Sequence, residues 1–195
     1  MVDSKKVLVF VADGSEDIET VATIDVARRG GLAVTVVGVF LERAYAELAN
    51  GVKLMPDARL EDLSDDQLRN FDALVIPGGN DGTQTLRSTT KVLQLLKQYH
   101  DGGKLVAAIC AGPTVIQAAG LGLNGDTKLR LTSYPSVQFM LETQYDYQEE
   151  DVVVDGNLIT SRGPGTTIPF GLAIVKHLTN EQVSRETAKK LLYEV

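Results

Sequence analysis

The residue best suited to covalent chemistry is Cys110, the single cysteine of the chain. It follows the apolar segment 104–109 (KLVAAI) and precedes residues 111–113 (AGP). This order predicts a strand, a sharp turn and the start of a helix, with the thiol at the turn. Amides at the start of a helix stabilise a thiolate and lower its pKa. Lone intracellular cysteines are commonly small buried apolar residues, so it is the turn that favours a reactive Cys110.

Two other segments follow predicted strands and would meet Cys110 at one edge of a parallel sheet. Glu19 lies near the start of a predicted helix, from which its carboxyl can lean over the thiol. Gly78 and Gly79 follow the strand that ends at Ile76, and their backbone amides can face a developing oxyanion. On spacing alone, a surface acid at a helix start and an ordinary turn explain these residues more simply.

The histidines limit the possible mechanisms. Only His100 and His177 are present, and neither follows a predicted strand at this edge. A Cys-His or Ser-His-Asp triad therefore has no evident imidazole, and two distant histidines do not suggest a metal site. A carboxyl group must then handle the protons for Cys110. We expect no metal and no cofactor, and the absence of a GxGxxG or phosphate-binding motif after any strand disfavours a nucleotide-binding module.

Composition excludes several classes of protein. The 195 residues include 19 Lys and Arg and 26 Asp and Glu, a net charge of −7, with no basic block. Charge-driven binding to nucleic acid or to an anionic membrane is therefore not expected. No apolar run approaches the roughly 20 residues that a membrane span needs. The short apolar run at 7–12 is too brief for a secretory leader, which together with the single cysteine predicts a cytoplasmic protein.

The pattern of the whole chain predicts an α/β fold with a mainly parallel central sheet and helices on both faces. Strands are expected at 7–12, 33–40, 72–76 and 104–109, which are continuously apolar. Helices are expected at 16–29, 63–70, 91–100, 113–121, 136–143, 168–178 and 181–193. A hairpin is expected from 152–154 and 158–160 around the turn 155–157 (DGN). We find no linker or repeat, so one domain over 1–195 is expected.

Five segments of the chain, taken in order, carry a family resemblance. They are 14–20 (GSEDIET), 56–62 (PDARLED), 77–80 (PGGN), 107–113 (AAICAGP) and 160–166 (TSRGPGT). Together they resemble the ThiJ/PfpI superfamily, and within it they are most similar to the DJ-one branch. The similarity covers most of the chain, and five ordered motifs are specific where any one would be weak.

The resemblance implies a flavodoxin-like three-layer sandwich that presents the reactive cysteine, Cys110, on a strained elbow. It implies that Glu19 is the carboxyl that hydrogen-bonds the thiolate. It also implies an oxyanion pocket formed by the amides of Gly79 and Ala111, with Pro164 on the rim of the site.

The resemblance further implies a homodimer, with Arg29 and Arg162 near the dimer contact. The activities it implies are conversion of methylglyoxal or glyoxal to hydroxy acids without glutathione, and repair of early glyoxal adducts on proteins. A redox-sensing and chaperone-like role is implied as well.

Several positions depart from the family pattern. Tyr134 stands where the branch usually has a histidine, and a phenol of pKa near ~10 is a poor base at neutral pH but still a hydrogen-bond donor. Ala111 stands where protease-like members carry a histidine, which counts against peptidase activity. Leu48, Met55 and Asn50 replace two accessory cysteines and an arginine of some relatives, so regulation through secondary thiols is not expected.

The leading functional hypothesis is a glutathione-independent glyoxalase acting on small α-oxoaldehydes. The Cys110 thiolate would form a hemithioacetal, and Glu19 would move a proton between the two former carbonyl carbons. The alternative is an oxidative-stress sensor or chaperone in which Cys110 is oxidised to a sulfinate. The same two residues serve both hypotheses, so the sequence leaves them open.

Overall fold

The computed structural model describes residues 4–123 and 127–194. The strands are β1 Lys6–Val11, β2 Ala33–Gly38, β3 Ala46–Glu47, β4 Lys53–Leu54, β5 Ala58–Arg59, β6 Ala73–Ile76, β7 Leu105–Ile109, β8 Arg130–Leu131, β9 Asp146–Tyr147, β10 Val152–Asp155 and β11 Leu158–Ser161. The helices are α1 Asp17–Arg29, α2 Asp65–Arg69, α3 Asn80–Ser88, α4 Thr90–Asp101, α5 Pro113–Ala118, α6 Gln138–Leu141, α7 Thr167–Leu178 and α8 Glu181–Lys190. Short 3₁₀ turns lie at Leu60–Asp62, Pro135–Val137 and Pro164–Thr166.

The central sheet contains seven strands in the order β10-β11-β7-β6-β1-β2-β5. Every pairing in it is parallel except the hairpin between β10 and β11 at one edge. Because neighbouring parallel strands end at the same edge of a sheet, the segments after β1, β6, β7 and β11 leave the sheet together. These are the segments that carry residues 12–16, 77–80, 110–113 and 162–166.

Helices cover the sheet on both faces, which confirms the predicted α/β flavodoxin-like sandwich. Alternate residues of β1 divide between two buried clusters: Val7 and Val9 pack in one, Leu8 and Phe10 in the other. The first cluster includes apolar side chains of α1, α7 and α8. The second includes those of α2 to α6. A strand buried on both faces needs no alternation of apolar and polar residues, and this explains its continuous apolar run.

Several elements differ from the sequence prediction. Helix α3 was not predicted, because its segment 80–88 (NDGTQTLRS) has a single large apolar residue, Leu86, and so shows no helical period. The second strand ends at Gly38, two residues early, and Phe40 beyond it has a left-handed φ of 50°. The last helix ends at Lys190, just before Leu192 takes a φ of 56°.

Other predictions are confirmed within a few residues. The helix expected at 136–143 is a 3₁₀ turn followed by the four residues of α6. The 152–160 hairpin is present, and Val153 pairs with Thr160. The two-residue strands β3, β4, β5, β8 and β9 are too short to show a pattern in the sequence.

Helix α1, which carries Glu19, is fixed against its neighbours at both ends. Near its start, the Asp17 carboxylate accepts hydrogen bonds from the backbone amides of Asn50 (2.7 Å) and Val52 (3.0 Å). At its end, Gly30 packs directly on Val175 of α7: a Cβ at this glycine would lie 2.5 Å from Val175 Cγ2. The absence of a side chain at Gly30 therefore allows the close approach of α1 and α7.

Replacing Gly30 with Ala tests this close approach. The methyl group would overlap a buried, β-branched side chain, so we expect the free energy of unfolding to fall by about 1–3 kcal/mol in urea titrations. Gly165→Ala is the matched control, because a Cβ there has no atom within 4 Å and its φ is not left-handed. Equal stability of the two variants would contradict the packing argument.

Candidate active site

The chain turns sharply at Cys110, between β7 and α5, as predicted. Cys110 has a φ of 63°, a left-handed value that costs a non-glycine residue roughly 1–3 kcal/mol. Its N–H donates to the carbonyl of Ser161 at 2.9 Å, and its carbonyl accepts from the N–H of Tyr134 at 2.8 Å. These bonds from two other segments hold the elbow, which leaves the thiol half-buried.

Glu19 projects from the first turn of α1 and is completely buried. Its Oε2 atom accepts a hydrogen bond from the N–H of Gly78 at 2.7 Å. The carboxyl also shares a hydrogen bond with the Cys110 thiol. Its Oε1 atom is buried with no hydrogen-bond partner among the residues that the structure describes. The surface-acid interpretation of Glu19 is therefore wrong, and the carboxyl lies beside the thiol.

Gly78 has a different role from the one predicted. Its N–H binds Glu19 Oε2, so the expectation that this amide faces an oxyanion is wrong. Its missing side chain matters as well. A Cβ at Gly78 would lie 2.5 Å from Glu19 Oε2 and 2.9 Å from Cys110 Sγ. Gly78 therefore both orients the carboxyl and leaves the space in which carboxyl and thiol meet.

The amides of Gly79 and Ala111 reach the sulfur atom. Both N–H groups hydrogen-bond Cys110 and so favour negative charge there. Gly79 has a left-handed φ of 91°, and a Cβ on it would lie 2.7 Å from the backbone nitrogen of Glu16. Only glycine fits this position, which brings its amide to the thiol.

Burial controls the ionisation of the Glu19–Cys110 pair. Loss of water raises the pKa of Glu19 to about 7, against the opposing hydrogen bonds from Cys110 and Gly78, and the charge of Glu16 adds to the rise. Burial also raises the pKa of Cys110 to about 12, together with the charge and hydrogen bond of Glu19, and the amides of Ala111 and Gly79 only partly offset this. The lowered thiol pKa predicted from the helix start is therefore not what the structure gives.

The two raised pKa values belong to one coupled pair. Below about pH 7 both groups are protonated, and between about pH 7 and about pH 12 the pair holds one proton. That proton can lie on sulfur or on the carboxyl. The form with the proton on Glu19 and the charge on Cys110 is the nucleophile, and the amides of Gly79 and Ala111 stabilise it.

Tyr134 and Gly163 form one wall next to the pair. The Tyr134 ring is partly exposed and lies against Gly163, where a Cβ would be 3.2 Å from Tyr134 Cδ2. The same Cβ would lie 4.0 Å from Glu19 Oε1. Gly163 was missed by the sequence analysis, and the available signal was its place in the 160–166 motif before Pro164.

Of the remaining predicted site residues, Pro164 and Arg162 lie near the site and Arg29 does not. Pro164 begins the 3₁₀ turn after β11 and is half-buried. Arg162 precedes Gly163, and its Nη1 atom is buried with no hydrogen-bond partner in the described part of the chain. Arg29 lies at the far end of α1 from Glu19, where it pairs with Asp25 at 2.6 Å. The structure therefore keeps Arg162 near the site and does not bring Arg29 to it.

The described residues offer neither a metal site nor a membrane span. Over residues 4–123 and 127–194, no three His, Cys, Asp or Glu side chains cluster in a way that could hold a metal ion. None of the helices in these ranges has the length and apolar character to cross a bilayer.

The fold is that of a known family of α/β proteins. The model of the DJ-1/PfpI family matches residues 5–177, so the chain belongs to this family. Protein dj-1beta of Drosophila melanogaster is 41% identical over 190 residues, 97% of each chain. The Parkinson disease protein 7 homolog of Danio rerio is 38% identical over 190 residues, 96% of this chain and 97% of that one.

A third relative carries an enzyme name. The glutathione-independent glyoxalase DJR-1.2 of Caenorhabditis elegans is 35% identical over 193 residues, 98% of each chain. Among solved structures, Drosophila melanogaster DJ-1beta matches with a TM-score of 0.90 at 39% identity, covering 99% of this chain and all of that one. Toxoplasma gondii DJ-1, solved in an oxidized form, matches with a TM-score of 0.87 at 32% identity, covering 98% of this chain and all of that one.

The coupling of the pair predicts how thiol reactivity depends on pH. In the native protein, the rate of Cys110 alkylation by iodoacetamide should rise with a midpoint near pH 7, where the pair loses its first proton. In Glu19→Gln this step should disappear. The thiol then titrates alone, below the upper pKa of the native pair, because the charge of Glu19 is gone.

Glu149→Gln is the matched control, since Glu149 is exposed and its charge is not among those that shift the pKa of Glu19 or of Cys110. It should keep the native midpoint. Superimposable profiles for Glu19→Gln and the native protein would show that the carboxyl and the thiol are not coupled.

Proposed function

We propose that this protein is a glutathione-independent glyoxalase that converts methylglyoxal to lactate and glyoxal to glycolate. The proposal depends on one observation: a completely buried carboxyl, Glu19, hydrogen-bonds the only thiol, Cys110, on a backbone elbow. The enzyme name of the Caenorhabditis elegans relative supports it. A carboxyl with a pKa of about 7 can both give and take a proton at neutral pH.

The first step is addition of sulfur to the aldehyde. The Cys110 thiolate forms a carbon–sulfur bond, and the electron pair of the carbonyl bond moves to oxygen. The amides of Gly79 and Ala111, which reach the sulfur in the free protein, then donate to this oxyanion. Protonation of the oxygen gives a hemithioacetal.

The second step moves a proton between two carbons. Glu19, which is ionised because it protonated the oxyanion, removes the hydrogen of the former aldehyde carbon and returns a proton to the former ketone carbon. The hydroxyl proton of the hemithioacetal passes to the former ketone oxygen, so a carbonyl forms at the carbon that bears the sulfur. The aldehyde carbon is oxidised by two electrons and its neighbour is reduced by two, so no external oxidant or reductant takes part. The product is a thioester of Cys110.

The last step is hydrolysis of the thioester. Water adds to the acyl carbon, the carbon–sulfur bond breaks and sulfur leaves with the electron pair. Glu19 is the nearest base for the proton that water loses. The complete reaction adds one water molecule to the oxoaldehyde and regenerates the Glu19–Cys110 pair with its single proton.

A small substrate fits the surroundings of the pair. Tyr134, in the place of the family's usual histidine, is a phenol and serves as a hydrogen-bond donor at the entrance. Gly163 leaves room beside Glu19 Oε1, and Pro164 is expected on the rim. The assignment of base chemistry to Glu19 alone agrees with the lack of an imidazole here.

We also infer a cytoplasmic homodimer from the family resemblance. Exposed apolar side chains support a contact between copies: Ile18 and Val21 lie on α1, and Val52 lies on the loop that Asp17 fastens to the helix. Arg29, exposed on the same helix, is close to such a contact.

Glyoxalase activity is tested by measuring lactate formed from methylglyoxal without glutathione. Cys110→Ser should abolish turnover, and Glu19→Gln should lower kcat by about 10²-fold or more, because no other acidic or basic side chain of the described residues hydrogen-bonds the thiol. Glu149→Gln is the control and should keep native activity. Native turnover in either site variant would refute the mechanism.

Filling the space beside Gly78 is a second test of the same site. Gly78→Ala places a methyl group between the carboxyl and the thiol, and a displacement of about 1 Å should cost roughly 10²-fold in kcat/KM. Gly30→Ala is the control for lost stability, since it strains the fold at the far end of α1 and should keep its activity. Equal activity of Gly78→Ala and the native protein would contradict the argument.

A sensor that works by oxidation of Cys110 is the second candidate. It is supported by the amides at the sulfur, which can donate to sulfinate oxygens, and by the oxidized form of the Toxoplasma gondii relative. Peroxide would supply the oxygen atoms and accept the electrons of sulfur. A mass gain of two oxygen atoms at Cys110, without multiple turnovers on methylglyoxal, would favour this function over the glyoxalase.

A further inference from the structure

Glu16 is the N-cap residue of α1, a position where glutamate is unusual. Helix starts are mostly capped by Ser, Thr, Asp or Asn, whose short side chains reach the first free amides. Here the longer carboxylate of Glu16 does this, and its Oε2 accepts the N–H of Glu19 at 2.7 Å. The amide that Glu16 caps is thus the amide of the buried acid in the site.

Glu16 also belongs to a closed ring of three hydrogen bonds. Its side chain binds the N–H of Glu19, the Glu19 side chain binds the N–H of Gly78 at 2.7 Å, and the carbonyl of Gly78 binds the N–H of Glu16 at 3.0 Å. The ring fixes both ends of Glu19, its main chain and its carboxyl. It joins the start of α1 to the segment after β6.

Glu16 acts on Glu19 by charge as well as by position. The two carboxylates carry charge of the same sign, so the negative charge of Glu16 disfavours ionisation of Glu19 and with it the first negative charge on the pair. Asp17, the next acid of the same turn, is engaged elsewhere: its oxygens accept from the amides of Asn50 and Val52. Glu16 therefore acts on Glu19, whereas Asp17 holds the loop at residues 50–52.

The other groups around Glu19 do not compensate this charge. The segment after β7 contributes the Cys110 thiol, and the segment after β6 contributes the amide of Gly78. The segment after β11 contributes Gly163 beside the carboxyl, and its charged residue, Arg162, forms no ion pair with Glu19. The Tyr134 phenol lies on the other side of Gly163.

We propose that Glu16 is a positioning residue for the Glu19–Cys110 pair: its carboxylate fixes the Glu19 main chain, and its negative charge adds to burial in opposing loss of the pair's first proton. This inference deepens the proposed glyoxalase function and rests on its assignment of the pair. It concerns the proton of the pair, which thiol alkylation reports without any turnover.

The test is the pH profile of Cys110 alkylation by iodoacetamide in Glu16→Gln. Glutamine keeps an oxygen that can accept the Glu19 N–H but removes the charge. The midpoint should move to lower pH by roughly half a unit, which is about a threefold faster reaction on the rising limb at fixed pH. An unchanged midpoint would overturn the proposal.

Asp17→Asn is the matched control, because it removes one negative charge from the same helical turn without facing Glu19. Its midpoint should stay at the native pH, and a shift equal to that of Glu16→Gln would overturn the proposal by showing a general effect of charge. Glu16→Asp keeps both charge and capping oxygen, so it should retain the native midpoint even if Glu16→Gln folds poorly. A shift in Glu16→Asp as large as in Glu16→Gln would contradict the role of the charge.

If Glu16→Gln shifts the midpoint while the native protein forms no lactate from methylglyoxal, the inference stands and the glyoxalase function fails. If lactate forms and the midpoint does not move, the function stands and the inference fails. The two results are therefore independent.

Discussion

The site depends on a competition between loss of water and hydrogen bonding around a single proton. Two groups that would each be charged at high pH lie together in a place where little water reaches them, so the pair retains a proton well above the usual range of a carboxylic acid. The backbone N–H groups of Gly78, Gly79 and Ala111 oppose this rise in pKa by donating hydrogen bonds to the pair. They permit one negative charge on the pair, although no cationic side chain in the described part of the chain is paired with Glu19.

This arrangement explains why glycines dominate the site. At Gly78 any side chain would enter the space between carboxyl and thiol, at Gly79 the backbone is left-handed and packed against Glu16, and at Gly163 a side chain would press on the Tyr134 ring. Each glycine brings a backbone amide or a free space close to a reactive atom. Bulk at any of the three would separate groups whose distance sets the chemistry.

Much of this could be predicted from the sequence. The continuous apolar strands, the acids at the start of the first long helix and the small residues around Cys110 predicted the sheet, its helices and the turn, because each depends on local composition. The contacts between segments were harder to predict. The amide of Gly78 was assigned to an oxyanion, and its actual partner, Glu19, lies 59 residues earlier in the chain.

Two further differences have the same origin. Helix α3 has almost no apolar period, since two of its three buried residues are Gly82 and Thr83. The ionisation of Cys110 was expected to follow the nearby helix start, but burial by distant segments and the neighbouring Glu19 outweigh it. The family resemblance identified Glu19 and Cys110 as neighbours. It could not predict how burial and hydrogen bonds set the pKa values of the two groups.

The elbow has a consequence for how the molecule can be observed. Cys110 is held by Ser161 and by Tyr134, and its carboxyl partner comes from α1, so the environment of one sulfur atom is built from segments that span most of the sequence. Such an environment exists only when the helix, the central strands and the edge hairpin are docked at once. The rate at which a small electrophile labels this atom is therefore a measure of native assembly, and slow opening of any one layer will be visible in it before the chain unfolds as a whole.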